Sequence, residues 1–202
     1  MKWIVAAVII VAGAIVLRHV LSPGPNVVIQ PSLSPSPSAD TIPLEKASTR
    51  TTKKPFGIFV SPAHSPVTPE KFTGYHTGLD FETTPEEQLL EIDVRAICDG
   101  QVAVKKYASG YGGVLVQRCT FNGQDVTVIY GHLNLASIQV AVSAVLHRGD
   151  VIGALGKGYS TETDGERKHL HLGIHKGAAV DIRGYVPRAS DLMLWINPAT
   201  VL

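Results

Sequence analysis

The chain has 202 residues, with 18 Lys and Arg against 17 Asp and Glu, for a net charge of +1. Hydrophobic residues are 45% and charged residues 17% of it, enough apolar material for a core, which excludes a fully disordered chain. The charge balance lacks the Lys/Arg surplus that phosphate neutralisation needs, and aromatics at 6% give no base-stacking surface, so nucleic acid is not expected as a partner.

The first element runs from Trp3 to Leu17, an unbroken apolar or small stretch with Lys2 before it and Arg18 and His19 after it. A spanning helix needs about 20 apolar residues. The stretch reaches that length if Arg18 snorkels and Val20 and Leu21 are counted. We expect residues 1–21 to be an N-terminal membrane helix, with a cleaved signal segment (Ala12-Gly13-Ala14 offers small residues for a cut) as the alternative. Either way the remainder is sent out of the cytoplasm, either anchored in a membrane by one pass or secreted. Residues 22–55, rich in Pro, Ser and Thr, read as an extended linker.

From Phe56 the texture changes to short Val- and Ile-rich runs separated by Gly, Asp and Asn. Val126-Thr127-Val128-Ile129-Tyr130 shows the alternation of a strand, and Asp99-Gly100 and Asn122-Gly123 are the strongest turn signals. Residues 56–202 are therefore expected to be one all-β domain, an antiparallel sandwich or partial barrel. The single helical signal is the short run Pro85 to Leu90, and Ala189 to Leu202 reads as a return segment against the sheet. Cys98 and Cys119, the two cysteines, are expected to form a disulfide in an exported domain.

Eight histidines carry the chemistry. His76 and Asp80 form an H-x-x-x-D, and His169 and His171 an H-x-H. On a strand, residues two apart share a face. His169 and His171 therefore project together, while Leu170 and Leu172 face a core. Imidazoles with a carboxylate suit zinc, and a three-ligand site keeps one tetrahedral position open, the mark of a catalytic rather than a structural ion. Such an ion acidifies a water towards a pKa of about 7. His132, in Tyr130-Gly131-His132-Leu133, closes an alternating strand. His19, His64 and His147 are read as bland, and His175 as a solvated residue at the end of the H-x-H strand.

These motifs occur in a fixed order: Gly74-Tyr75-His76 with Asp80, Asp99-Gly100, Tyr130 to Leu133, Arg148 to Gly153, and His169 to His175. The set resembles the lysostaphin/LytM-type zinc endopeptidases of bacterial cell walls, the M23 family, over roughly Gly74 to His175. The resemblance implies a duplicated-hybrid-motif β fold, a Zn2+ cofactor, and a peptidoglycan peptide as substrate. It places the metal ligands on His76, Asp80 and His171, and the catalytic positions on His132 and His169. No H-E-x-x-H helix is present. One stretch departs from the pattern. The loop before the H-x-H is usually rich in Gly, Ser and Thr and ends in Pro, whereas here it is Lys157 to Lys168, longer and charged. We expect that loop to border the substrate groove, and we expect a monomer.

Two other readings compete. Some relatives have lost metal ligands and act as wall-binding regulators of other hydrolases, but the ligand set here is complete. Val145 to Gly153 resembles the hairpins of lipoyl-type carriers and sugar-transport phosphocarriers, but no lysine-bearing carrier turn is found.

Overall fold

The structure is a computed structural model and describes Asp40 and residues 42–202. The expected membrane segment and most of the expected linker lie outside the described residues. Among the described residues, no helix is long and apolar enough to cross a membrane.

The domain is all-β, with only short 3-10 turns besides its strands. A six-stranded antiparallel sheet contains β3 (Gly78–Glu82), β5 (Gly100–Ala108), β6 (Gly112–Phe121), β7 (Gln124–Leu133), β8 (Val145–Leu146) and β10 (His169–Lys176). Their order across the sheet is β3-β10-β7-β6-β5-β8. A smaller sheet has β1 (Phe59–Val60), β2 (Gly74–His76) and β11 (Tyr185–Val186) in the order β1-β2-β11, and β4 (Asp93–Arg95) pairs with β9 (Val151–Ala154).

Alternation decides the two faces of the large sheet. Leu170, Leu172 and Ile174 of β10, Val126, Val128 and Tyr130 of β7, and Leu115 of β6 share one apolar cluster with Val94 of β4 and Ile152 of β9. The opposite face carries a smaller cluster around Val114, Val116, Ile129 and Trp195. That second face also bears the odd-numbered residues of β10, among them His169 and His171.

Asn122-Gly123 is the two-residue hairpin expected, with φ of 51° and 78° and Phe121 paired to Gln124. Positive φ at both central residues matches the strand twist. Asp99-Gly100 is different. β4 pairs with β9, whereas β5 pairs with β6 and β8, so this dipeptide is a corner between two sheets. The Asp99 carboxylate there accepts from the Arg148 backbone N–H at 2.7 Å.

The folded part begins earlier than composition placed it. Ile42 and Leu44 are buried in the main core, and Arg95 N–H donates to Pro43 O at 2.8 Å. Further on, Glu82 N–H donates to Thr51 O at 3.1 Å and Asp80 N–H to Lys54 O at 3.2 Å. A polar stretch can join a domain when its backbone fills the open edge of a strand, here β3, and two apolar side chains anchor it. Cys98 and Cys119 are joined by a disulfide, with Cα atoms 6.2 Å apart and a sequence separation of 21. The C-terminal segment returns as expected, with Trp195 buried and Ile196 N–H donating to Ile174 O at 2.9 Å.

Candidate metal centre and groove

Thr77 separates β2 from β3, so the chain crosses there from the small sheet to the large one. His76 ends the first and Asp80 lies inside the second. On β3, Leu79 and Phe81 belong to the core side, which turns Asp80 to the opposite face. The β3–β10 register sets His171 against Asp80, and the β10–β7 register sets His171 against Gly131. Gly78 is required by this packing: a Cβ on it would lie 2.6 Å from His171 Cε1 and 2.6 Å from Leu172 O.

Three donor atoms meet. His76 Nε2 is 3.0 Å from His171 Nδ1 and 3.3 Å from Asp80 Oδ1, and His171 Nδ1 is 3.2 Å from Asp80 Oδ1. All three residues are buried, His76 and Asp80 almost completely. Zinc bonds of about 2.0–2.2 Å in a tetrahedron give ligand edges of about 3.3–3.6 Å. The triangle is close to that size and needs only slight expansion. Protonation fits as well. His76 Nδ1 is 3.2 Å from Pro55 O, an oxygen that can only accept, and this contact turns Nε2 towards the other two donor atoms. Burial, with the neighbouring His76 and His169 and against the pull of Asp80, pushes the His171 pKa down to about 4, leaving a neutral imidazole. Burial alone would raise Asp80, but His169 and His76 hold it well below the carboxylate range.

The two further histidines stand beside this group. The rings of His132 and His169 are 4.2 Å apart. His169 Nδ1 is 2.8 Å from Arg167 O and its Nε2 is 3.3 Å from Asp80 Oδ2. His132 has a φ of 62°, and its buried Nδ1 has no partner among the described residues. Burial first, then His169, holds its pKa well below the usual histidine value. The five residues singled out in the sequence thus converge. His175 lies further along the same face of β10, away from the group, and it is buried rather than solvated, packed on Trp195 at 4.9 Å between ring centroids.

A groove of about 360 Å³ opens over the group, lined by Asp80, His132, His169 and His171 and walled by Tyr111 and Tyr185. The Tyr111 ring packs on His171 at 5.3 Å and on His132 at 5.5 Å. Gly131 makes room for it, since a Cβ there would lie 2.4 Å from Tyr111 Cδ1.

Sequence reasoning missed several contributors, Tyr111 and Tyr185 among them. Lys54, read as linker, reaches the groove wall, where its ammonium lies 2.7 Å from Glu70 Oε2 and donates to the Tyr185 hydroxyl at 2.9 Å. Burial would raise Glu70, but Lys54, the Phe72 N–H and the Ser65 hydroxyl outweigh it and lower its pKa. Arg167 is buried, with NH2 2.7 Å from Asp80 Oδ2 and 2.6 Å from Glu82 Oε1. The long charged loop does border the groove, through Glu166. Lys168 turns away from it and donates to the carbonyls of Glu87 and Leu90. The signal for Arg167 was present, a basic pair where the resemblance leads one to expect Pro, but nothing local said which of the two would turn inward.

The profile of peptidase family M23 matches residues 74–182, more than half of the chain and all five histidine and aspartate positions of the centre. The chain belongs to peptidase family M23. Among solved structures, the catalytic domain of the antimicrobial peptidase lysostaphin from Staphylococcus simulans superposes with a TM-score of 0.52 at 17% identity, covering 76% of this chain and 92% of that one. It shares the fold with this M23 chain. LytU is similar at 21% identity with a TM-score of 0.49, covering 74% and 81% of the two chains. A zinc-containing peptidase from Vibrio cholerae is similar at 24% identity with a TM-score of 0.45, covering 70% of this M23 chain and 40% of the other. A search of curated proteins gives no match.

Proposed function

We propose that this M23 peptidase is a zinc endopeptidase that hydrolyses peptide cross-links of peptidoglycan at the bacterial cell envelope, where its N-terminal segment anchors or exports it. The observation that carries the reading is the triangle of His76 Nε2, Asp80 Oδ1 and His171 Nδ1, with edges of 3.0–3.3 Å, at the floor of a groove. These three atoms would hold the ion. A zinc ion there supplies Lewis acidity, lowering the pKa of a water towards about 7 and polarising an amide carbonyl.

The rest falls to side chains of the chain itself. His169 Nδ1 lies 2.8 Å from Arg167 O and its Nε2 3.3 Å from Asp80 Oδ2, which sets the ring beside the centre, where Nε2 would take the proton of the attacking water. The same imidazolium then protonates the departing amine. His132, neutral and buried, presents an N–H to the carbonyl oxygen as negative charge gathers on it. Tyr111 packs on His132 and His171 and keeps bulk water from those two rings. The complete donor set speaks for an enzyme over a wall-binding regulator.

The test is zinc content by mass spectrometry together with release of soluble peptides from purified walls. Wild-type protein is expected to bind one zinc and release peptides. H171A is expected to lose both while its far-UV spectrum is unchanged. Undiminished release by folded H171A would reject the reading.

A further inference from the structure

The loop that departs from the family pattern places a buried cation against the candidate metal centre. Asp80 divides its carboxylate. Oδ1 faces His76 Nε2 at 3.3 Å and His171 Nδ1 at 3.2 Å, whereas Oδ2 faces Arg167 NH2 at 2.7 Å and His169 Nε2 at 3.3 Å. Arg167 is itself fixed: Nε lies 2.9 Å and NH2 2.6 Å from the Glu82 carboxylate. Its backbone carbonyl holds His169 Nδ1 at 2.8 Å. A single residue therefore grips the outer oxygen of one candidate ligand with its side chain and the ring of the candidate base with its backbone. Glu82 is two residues beyond Asp80 on β3, so both carboxylates lie on the site face of that strand. Without the guanidinium they would be a buried like-charge pair.

We propose that Arg167 is a positioning residue that makes Asp80 a one-oxygen ligand. This rests on the reading that His76, Asp80 and His171 hold a metal. Three consequences follow from elementary chemistry. An oxygen engaged by a guanidinium at 2.7 Å is withdrawn from coordination, which keeps the coordination number low and a position open for water. Electron density drawn towards Arg167 weakens the donor strength of the other oxygen, so the ion keeps more of its Lewis acidity. The direction of His169 is tied to that of Asp80, because both are referred to Arg167.

The experiment uses the full chain loaded with cobalt(II), whose visible absorption is strong in four-coordinate sites and weak in higher-coordinate ones. Three variants are compared with wild type. R167M removes the donor while keeping the length of the side chain, and R167M/E82Q also removes the carboxylate left behind, so that it folds if the single variant does not. R167K keeps a cation at the same place. In R167M or the double variant the second oxygen of Asp80 joins the ion, and the molar absorption in the visible is expected to fall to about one half or less of wild type. R167K is expected to restore most of it. An absorption within about one fifth of wild type in the folded, loaded variants would overturn the proposal. Failure of the folded double variant to take up cobalt would overturn it too, because Arg167 would then be needed for the site to exist and not for the way Asp80 binds. A wild-type protein that takes up neither zinc nor cobalt would instead sink the metalloenzyme reading, which separates the two failures.

Discussion

The ammonium of Lys54 lies between Glu70 and Tyr185, 2.7 Å from Oε2 of the first and 2.9 Å from the hydroxyl of the second. Lys54 is 1% exposed, so its charge is compensated almost entirely by Glu70. Breaking a buried ion pair by removing one partner costs about 3–5 kcal/mol. Lys54→Met is expected to cost that much in urea unfolding. Lys54→Met combined with Glu70→Gln should recover most of it, and equal losses in the single and double variants would show that the pair is not a unit.

Glu70 also sets a pH dependence. Its folded-state pKa is lowered, so it contributes stability that is present above its unfolded value, about 4.3, and is lost as pH falls through the lower folded value. Below both values the carboxyl is neutral in either state, and Lys54 is left as a buried cation without its counterion. Thermal melting of wild type is expected to fall more steeply than that of Glu70→Gln as pH drops below about 4.5. Parallel curves for the two proteins would contradict this origin.

His169 is assigned to proton transfer and not to holding the ion. His169→Ala is expected to keep its zinc, measured by mass spectrometry, while peptide release falls by about 10²–10⁴-fold. His76→Ala should lose both. Loss of zinc from His169→Ala equal to that from His76→Ala would make His169 a ligand and undo the division of roles.

The disulfide between Cys98 and Cys119 closes a loop with a sequence separation of 21. Loop-closure entropy assigns such a link about 3 kcal/mol. Cys98→Ser/Cys119→Ser is expected to shift the urea midpoint by that equivalent with little change in zinc content. Both cysteines lie in the main core, on the side of the sheet away from the centre.

Much of the centre was legible because a strand reports its own faces. His169 and His171 alternate with Leu170 and Leu172, and that spacing alone sends the imidazoles one way and the leucines the other. The order of the motifs did the rest. What stayed hidden depends on partners distant in the chain. Asp99-Gly100 has the composition of a hairpin, but pairing of β4 with β9 overrides the local preference. The stretch ending at Lys54 has no hydrophobic period, because it is held by backbone groups of β3 and by two ion pairs, Arg50 with Glu87 and Lys54 with Glu70. Arg167 is one basic residue beside another, and only the carboxylates of Asp80 and Glu82, more than 80 positions earlier, select it over Lys168.

Thr77 is a one-residue crossing from the small sheet to the large one, and His76 and Asp80 stand on either side of it. An ion gripped by both is therefore a rivet across that seam, fastening the β1-β2-β11 sheet to the six-stranded one. Chelation should then loosen the architecture as well as silence the chemistry, with amide exchange in β2 and β11 quickening before that in β6 and β7.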